Sequence, residues 1–248
     1  SSGTPRICTS SQRLLADAGK ALNQGQPELA RQSLRQVLAQ APDHVNAQIL
    51  YGVACLMHGD FSEAVAFLRK AARQRPDDAT IQMYLGSALH DAGSQDEALI
   101  HLHRACELTP RQAAPWYNLG KALKQHGQLQ EANQAFRRAL TSDEGHVLAR
   151  IGVADIATMQ GDIPRAVIEY RRVLRQHPER AEAWHGLANL KTEPLEPADI
   201  ELIRRALRQP NLPLDTRVLL GFSLFRALED QHNYANAFEA LRQANADK

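Results

Sequence analysis

The sequence predicts an all-α chain, a solenoid built from consecutive helical hairpins. Three observations predict it. A helical pattern of about 34 residues returns along most of the chain. Glycine falls at the same place in each copy, where one helix must turn into the next. No β-rich run with a period of two interrupts the series. The pattern is sharpest at Trp116-Tyr117-Asn118-Leu119-Gly120-Lys121-Ala122-Leu123. Trp116, Leu119 and Leu123 share one helical stripe, and Gly120 beside it removes a side chain where another element can come close. Gly127 is the turn, and Ala132, Phe136 and Ala139 share a face of the second helix.

Taken in order, the first unit is the weakest: Leu14, Ala18, Ala21, Gly25, Ala30, Leu34, Val37 and Pro42. The second carries Tyr51, Gly52, Cys55, Gly59, Ala64, Leu68, Ala71 and Pro76. The third carries Leu85, Gly86, Leu89, Gly93, Ala98, Leu102, Ala105 and Pro110. The Trp116 unit is the fourth. The fifth has Val153, Ala154, Ala157, Gly161, Ala166, Tyr170, Val173 and Pro178. Small residues stand where two helices cross, and larger ones where volume must be filled. Proline closes the second helix because it cannot continue one. Glu144 takes its place in the Trp116 unit, which predicts a looser or longer junction there.

The pattern W-x2-L-G…A-x3-F resembles the tetratricopeptide repeat. The resemblance implies a right-handed α-solenoid whose first helices line an inner groove. It divides the chain into a short, frayed segment at 1–10, five units over 11–180, and an irregular end at 181–248.

Composition excludes several classes of function. The chain has 248 residues, 44% hydrophobic and 23% charged, with a formal net charge of +1. That balance creates no global field to draw nucleic acid or an anionic membrane. No run of 18 apolar residues predicts a membrane span. No secretory leader is evident at the start, so the expected location is cytoplasmic. Cys8, Cys55 and Cys106 are odd in number and widely spaced, which argues against a disulfide framework. Cys55 and Cys106 read as small buried hydrophobes.

Chemistry is scarce. His101, His103 and Cys106 form the nearest approach to a metal cluster. A spacing of two splits the histidines onto different helix faces, so no metal site is expected. Phosphate-binding loops, nucleophile elbows and H-E-x-x-H are absent, so no catalytic residue and no cofactor is predicted within this chain. Asp77-Asp78 and Asp143-Glu144 are expected to cap helix N-termini. Arg69, Lys70, Arg73, Arg137, Arg138, Arg171, Arg172 and Arg175 gather late in second helices, where cations offset the helix macrodipole. A basic ridge for an acidic partner is the alternative reading.

Helical spacing assigns a further face to each first helix. It carries Ile49, Val53, Leu56 and Met57, then Met83, Ser87, His90 and Asp91. Tyr117, Lys121, Lys124 and Gln125 follow, then Ile151 and Asp155. Met83, Ser87, His90, Tyr117, Lys121, Lys124, Ile151 and Asp155 are the candidate groove residues for a protein or peptide partner. The Lys/Asn/Arg set with which chaperone-type repeats clamp a C-terminal carboxylate is missing.

A sixth unit begins at Trp184, Leu187 and Ala188 and breaks at Lys191-Thr192-Glu193-Pro194-Leu195-Glu196-Pro197. Pro197 can open a new helix, and Gln209-Pro210-Asn211-Leu212-Pro213 is a second break. A last hairpin carries Leu224, Leu228, Tyr234, Ala237, Phe238, Leu241 and Ala244. Leu190-Lys191-Thr192, Pro197-Ala198-Asp199-Ile200, Leu212-Pro213 and Leu228-Glu229-Asp230…Tyr234…Ala237-Phe238…Asn245 resemble one family. It is the bacterial tetratricopeptide proteins whose C-terminal domain is a sulfotransferase. His232 departs from that family's turn glycine. The resemblance implies a catalytic domain beyond Lys248 that binds 3′-phosphoadenosine 5′-phosphosulfate. Two functions are therefore expected: a non-catalytic scaffold holding a peptide in the groove, or the recruiting region of such a sulfotransferase. Leu219, Leu220, Phe222 and Phe225 also bring many apolar groups to this end, leaving it open to self-association.

Overall fold

A computed structural model describes residues 8–190, 194–231 and 234–246, with the side chains of 234 and 235 excepted. Expectations for residues 1–7, for the break at 191–193 and for His232 lie outside this range. The described residues form fourteen helices and no strand. They divide into two compact units, 1–128 and 129–248.

The first unit holds α1 (Thr9–Asn23), α2 (Pro27–Gln40), α3 (Val45–His58), α4 (Phe61–Gln74), α5 (Ala79–Asp91), α6 (Gln95–Leu108) and α7 (Ala113–Gln125). Each second helix packs on its own first helix and again on the next one, so that α2 touches both α1 and α3. First helices also meet each other, α1 with α3, α3 with α5, and α5 with α7. The second unit holds α8 (Leu129–Ser142), α9 (Val147–Met159), α10 (Ile163–Gln176), α11 (Ala181–Asn189), α12 (Pro197–Leu207), α13 (Leu214–Asp230) and α14 (Tyr234–Ala246).

The turns follow from backbone sterics. Gly25, Gly59, Gly93, Gly127 and Gly161 all have φ between 69° and 93°. A side chain is disfavoured in that left-handed region, and glycine is not. Within the two units this glycine reverses the chain after α1, α3, α5 and α9. The sixth unit has Leu195 at this register, and its first helix, α11, stops after nine residues.

A single side-chain hydrogen bond recurs where each repeat meets the next. Gln48 donates to the Pro42 carbonyl at 2.9 Å and Gln82 to that of Pro76 at 2.8 Å. Trp116 donates through Nε1 to Pro110 at 3.0 Å, and Trp184 to Pro178 at 2.8 Å. Arg150 donates to Glu144 at 3.1 Å. Three donor chemistries satisfy the same carbonyl, six residues upstream, which fixes the entry of each first helix. This corrects the expectation for Glu144: the junction keeps the 34-residue register and the bond that closes it. The donors are not buried alike. Trp184 is 1% exposed, whereas Trp116, with the stronger motif, is half-buried.

The second set of contacts is steric. A Cβ added to Gly52 or Gly86 would fall 2.6 Å from Leu68 or Leu102 of the same hairpin. In the second unit the glycine has moved. Gly152 faces the Phe136 ring, and Gly186 faces the Tyr170 ring, each from the preceding second helix. Where that helix carries an aromatic ring in place of leucine, the next first helix gives up its side chain.

The arginines of the second helices prove to be clamps between repeats as well as dipole partners. Arg31 of α2 reaches Asp60 at 2.6 Å and Glu63 at 2.9 Å on α4 and its cap. Arg69 of α4 meets Glu97 of α6 at 2.9 Å. Arg171 of α10 grips Asp199 of α12 with two bonds of 2.6 and 2.9 Å. Asp78 caps α5 as expected, but His146 caps α9 in place of Asp143 or Glu144.

The end of the chain departs from the repeat. Arg171 ties α12 to α10, while α13 packs along α11 and forms the final hairpin with α14. The core beneath is continuous from Ile151 and Tyr170 through Trp184, Ile200 and Ile203 to Leu220, Leu224 and Leu228.

Two stability outcomes follow, both readable by urea denaturation followed by circular dichroism. Trp184→Ala should cost about 3–5 kcal/mol, and Trp116→Ala clearly less, because only Trp184 vacates a fully enclosed space. Gly152→Ala and Gly186→Ala should each cost about 1–3 kcal/mol by driving a methyl into a ring. Gly19→Ala, with nothing within 4 Å of the added Cβ, should be neutral or stabilising.

Candidate functional site

The first helices have one side that no second helix covers. In the first unit this side can be read residue by residue. On α1 and α3 it forms a pocket of about 430 Å³ lined by Gln12, Leu15, Ala16, Asn46, Ile49 and Leu50. Val53 and Leu56 continue it half-buried, and Met57 is exposed. On α5 it shows Met83, Tyr84 and Ser87, and on α7 Tyr117, Asn118, Lys121 and Lys124, all half-buried. Half-burial is the expected state for side chains whose flanks touch neighbouring first helices while their tips face outward.

Two of the predicted groove residues do not belong to the open side. His90 is 6% exposed, and its Nδ1 is buried without a hydrogen-bond partner. It sits near the C-terminal end of α5, where the adjoining helix covers it. Ile151, also 6% exposed, is part of the core of the second unit. Asp155 is half-buried, and its Oδ1 accepts the Tyr170 hydroxyl at 2.7 Å. Burial and that carboxylate together raise the Tyr170 pKa above the ordinary tyrosine value. Asp155 therefore anchors the core ring that faces Gly186. Met83, Ser87, Tyr117, Lys121 and Lys124 remain on the open side of the first unit.

Sequence reasoning named Ile49 but missed Asn46 and Leu50 beside it and the share of α1, whose repeat is too degenerate for the register of Leu15 to stand out. In the second unit the corresponding layer, α11 with α13, carries an aromatic group. His185 lies 6.1 Å from Phe222, and Phe222 lies 6.3 Å from Phe225.

The second-helix layer offers less. Arg69 and Arg171 are engaged with carboxylates, and Lys70 lies 4.8 Å from the Phe67 ring centroid. These three cations are engaged within their own units.

Among the described residues no group of three or more His, Cys, Asp and Glu side chains is placed to hold a metal. His101 turns inward, 2.6 Å from Gln82 Oε1, while His103 is exposed. Burial lowers the His101 pKa and keeps its ring neutral near neutrality. Burial, then the Glu63 carboxylate, pushes the Cys55 thiol up to about 12. Cys8, exposed and bonded by Ser10 and Ser11, is lowered to about 7. Among the described residues no helix is long and apolar enough to cross a membrane.

With that geometry in view, the chain is identified as an all-α solenoid of consecutive helical hairpins. Two models for the tetratricopeptide repeat match it, one over residues 18–79 and 117–181 and the other over 86–127. The chain belongs to the tetratricopeptide repeat family. No curated protein matches it in sequence. Among solved structures, a tetratricopeptide repeat protein from Parabacteroides merdae is 18% identical, with a TM-score of 0.67 over 96% of this chain and 93% of that one. MamA from Desulfovibrio magneticus is 20% identical, with a TM-score of 0.60 over 68% and 96%. YrrB, described as a TPR protein with an unusual peptide-binding site, is 21% identical, with a TM-score of 0.55 over 69% and 89%. At these identities the likeness establishes the fold.

The thiols give a direct check on the buried and exposed assignments. Native Cys8 should be alkylated by iodoacetamide at a rate that rises with pH, is half-maximal near pH 7 and levels above it. Cys55 should stay unmodified until the protein is unfolded. Mass spectrometry of the alkylated native and denatured chains reads both.

Proposed function

We propose that this chain is a non-catalytic scaffold that holds a peptide or protein segment against its first-helix layer. One observation carries the reading. In the first unit the uncovered side of α1, α3, α5 and α7 is a run of half-buried side chains, apolar at one end and mixed at the other. Leu15, Ile49, Leu50, Val53 and Met83 offer area for the apolar side chains of a ligand. Tyr117 adds a ring and a hydroxyl, and Lys121 and Lys124 share a helical face that suits an acidic group. A segment that is apolar toward one end and acidic toward the other fits this order. The peptide-binding site named for YrrB belongs to a protein of the same fold, and the choice of surface rests on the residues above.

A second reading places the chain as the recruiting region of a sulfotransferase. It rests on the resemblance of Pro197-Ala198-Asp199-Ile200 and Leu212-Pro213 to that family, in a segment where α11 stops after nine residues. The reading frame downstream of Lys248 separates the two. A phosphosulfate-binding loop there would support the second reading, and a stop codon would leave the first.

Peptide-display selection on the immobilised chain, followed by titration of the selected peptide, tests the first reading. Tyr117→Ala should weaken binding by about 2 kcal/mol, because the ring would lie in the desolvated centre. Lys121→Glu should act chiefly on association rate and salt dependence. Arg73→Glu, exposed on α4, should leave affinity unchanged. Loss of binding in Arg73→Glu with retention in both α7 variants would transfer the site to the second-helix layer.

A further inference from the structure

The gap between the second helices α12 and α14 is not bridged in the way an earlier one is. In the first unit Arg104 of α6 crosses such a gap to Asp77, in the loop after α4, at 2.7 Å. Arg104 stands six residues after the buried Ala98, and Gln243 stands at the same place after the buried Ala237 of α14. Gln243 donates instead to Glu239 of its own helix at 3.3 Å. The loop after α12, Gln209-Pro210-Asn211-Leu212-Pro213, carries no carboxylate. Arg208, at the end of α12, likewise turns back to Glu201 of its own helix at 3.1 Å. Between these helices lies a cavity of about 500 Å³ walled by α12, α13 and α14. It lies on the inner side of α14, where Ala240 and Ala244 are buried. A Cβ added to Gly221 of α13 would fall 2.5 Å from that of Ala244, so the two helices touch beneath the cavity.

Three arginines line this cavity, Arg204 and Arg208 from α12 and Arg217 from α13, and among the described residues no acidic side chain lines it. Arg204 and Arg217 are half-buried. The macrodipole accounts for Arg204 and Arg208, which stand at the C-terminal end of α12. It opposes Arg217, which stands in the first turn of α13, at the positive end of that helix. Leu207 and Leu224 supply an apolar part of the wall. We infer that the cavity binds a small organic phosphate monoester, with its dianionic head on the arginines and its apolar group against Leu207, Leu224 and Ala244. Like charges around one cavity repel, and a bound dianion turns that repulsion into attraction. Guanidinium forks match the oxygens of a phosphate in geometry as well as charge. The volume falls in the range of small-molecule sites and leaves space beyond the phosphate itself. The leucine wall rewards an apolar substituent in that space. The site is separate from the first-helix layer, and its test does not depend on a peptide ligand.

Isothermal titration calorimetry of the full chain with phenyl phosphate tests the assignment, with inorganic phosphate and benzyl alcohol as the two halves of the ligand. Phenyl phosphate should bind at one site per chain, at least about tenfold more tightly than inorganic phosphate. Benzyl alcohol should give no binding heat at the same concentrations. Arg204→Gln and Arg217→Gln should each weaken phenyl phosphate binding by at least about tenfold. Arg204→Lys, which keeps the charge and loses the fork, should lose less than Arg204→Gln. Arg172→Gln, exposed on α10, should leave the affinity unchanged. Circular dichroism should show each variant folded as the wild type is. Binding should also weaken as the pH falls from about 7.5 to about 5, because the monoester takes up its second proton near pH 6 while the arginines stay charged. No binding heat up to about 5 mM phenyl phosphate would overturn the proposal. So would binding indifferent to both arginine-to-glutamine variants, or inorganic phosphate held as tightly as the phenyl ester.

Discussion

Each repeat of this chain depends on how a first helix is delivered onto the second helix before it. The delivery is set by one bond, from a side chain in the first turn to the carbonyl six residues upstream. A backbone carbonyl at a tight, half-buried junction must find a donor. Gln48, Gln82, Trp116, Arg150 and Trp184 all supply one, though they share neither size nor charge. With the helix entry fixed, the facing surfaces interlock. Leu68 and Leu102 fill the spaces left by Gly52 and Gly86, and Phe136 and Tyr170 fill those at Gly152 and Gly186. The first two contacts close a hairpin and the last two join successive hairpins, and a helical hairpin cannot bury its apolar face without such neighbours.

The same geometry sorts the surface into two layers with different chemistry. Second helices are stitched to their successors by Arg31, Arg69 and Arg171, each seated on carboxylates of the next second helix. Arg31 is nearly buried, and its guanidinium holds the exposed Asp60 carboxyl below its ordinary pKa. Charges spent on holding repeats together are withdrawn from recognition. The first helices of the first unit carry a graded set of half-buried apolar, aromatic and cationic groups, from Leu15 and Ile49 to Tyr117 and Lys121.

The C-terminal region shows what happens when the repeat loses its turn glycine. With Leu195 at that register, α11 ends early and α13 packs along it, while Arg171 still captures Asp199 at the start of α12. The ion pair outlasts the turn because it requires only that α12 begin at the right place. The capping box formed by Glu196 and Asp199 holds that start.

Much of this was legible from the amino-acid sequence. The fold class, the five turn glycines, the core alanines and leucines, and the break before Pro197 are local matters. Backbone sterics at Gly25 or Gly161, or the missing N–H of a proline, act within a few residues, and a 34-residue period repeats them visibly. Of the candidate face, Met83, Ser87, Tyr117, Lys121 and Lys124 are half-buried, whereas His90 and Ile151 are buried and Asp155 holds the Tyr170 hydroxyl, and the reason is tertiary. Spacing gives the direction of a side chain from its own helix, while burial is decided by how closely the next helix lies. The two tryptophans make the same point, since they share a motif and a hydrogen bond, yet only Trp184 is enclosed. Arg69 and Arg171 were legible as cations late in second helices, but their carboxylates sit 28 residues away, and Arg31, whose Glu63 partner is 32 residues away, was not singled out. Only the stacking of hairpins brings such distant residues into contact, because the alignment of one second helix on the next is a property of the assembled repeats.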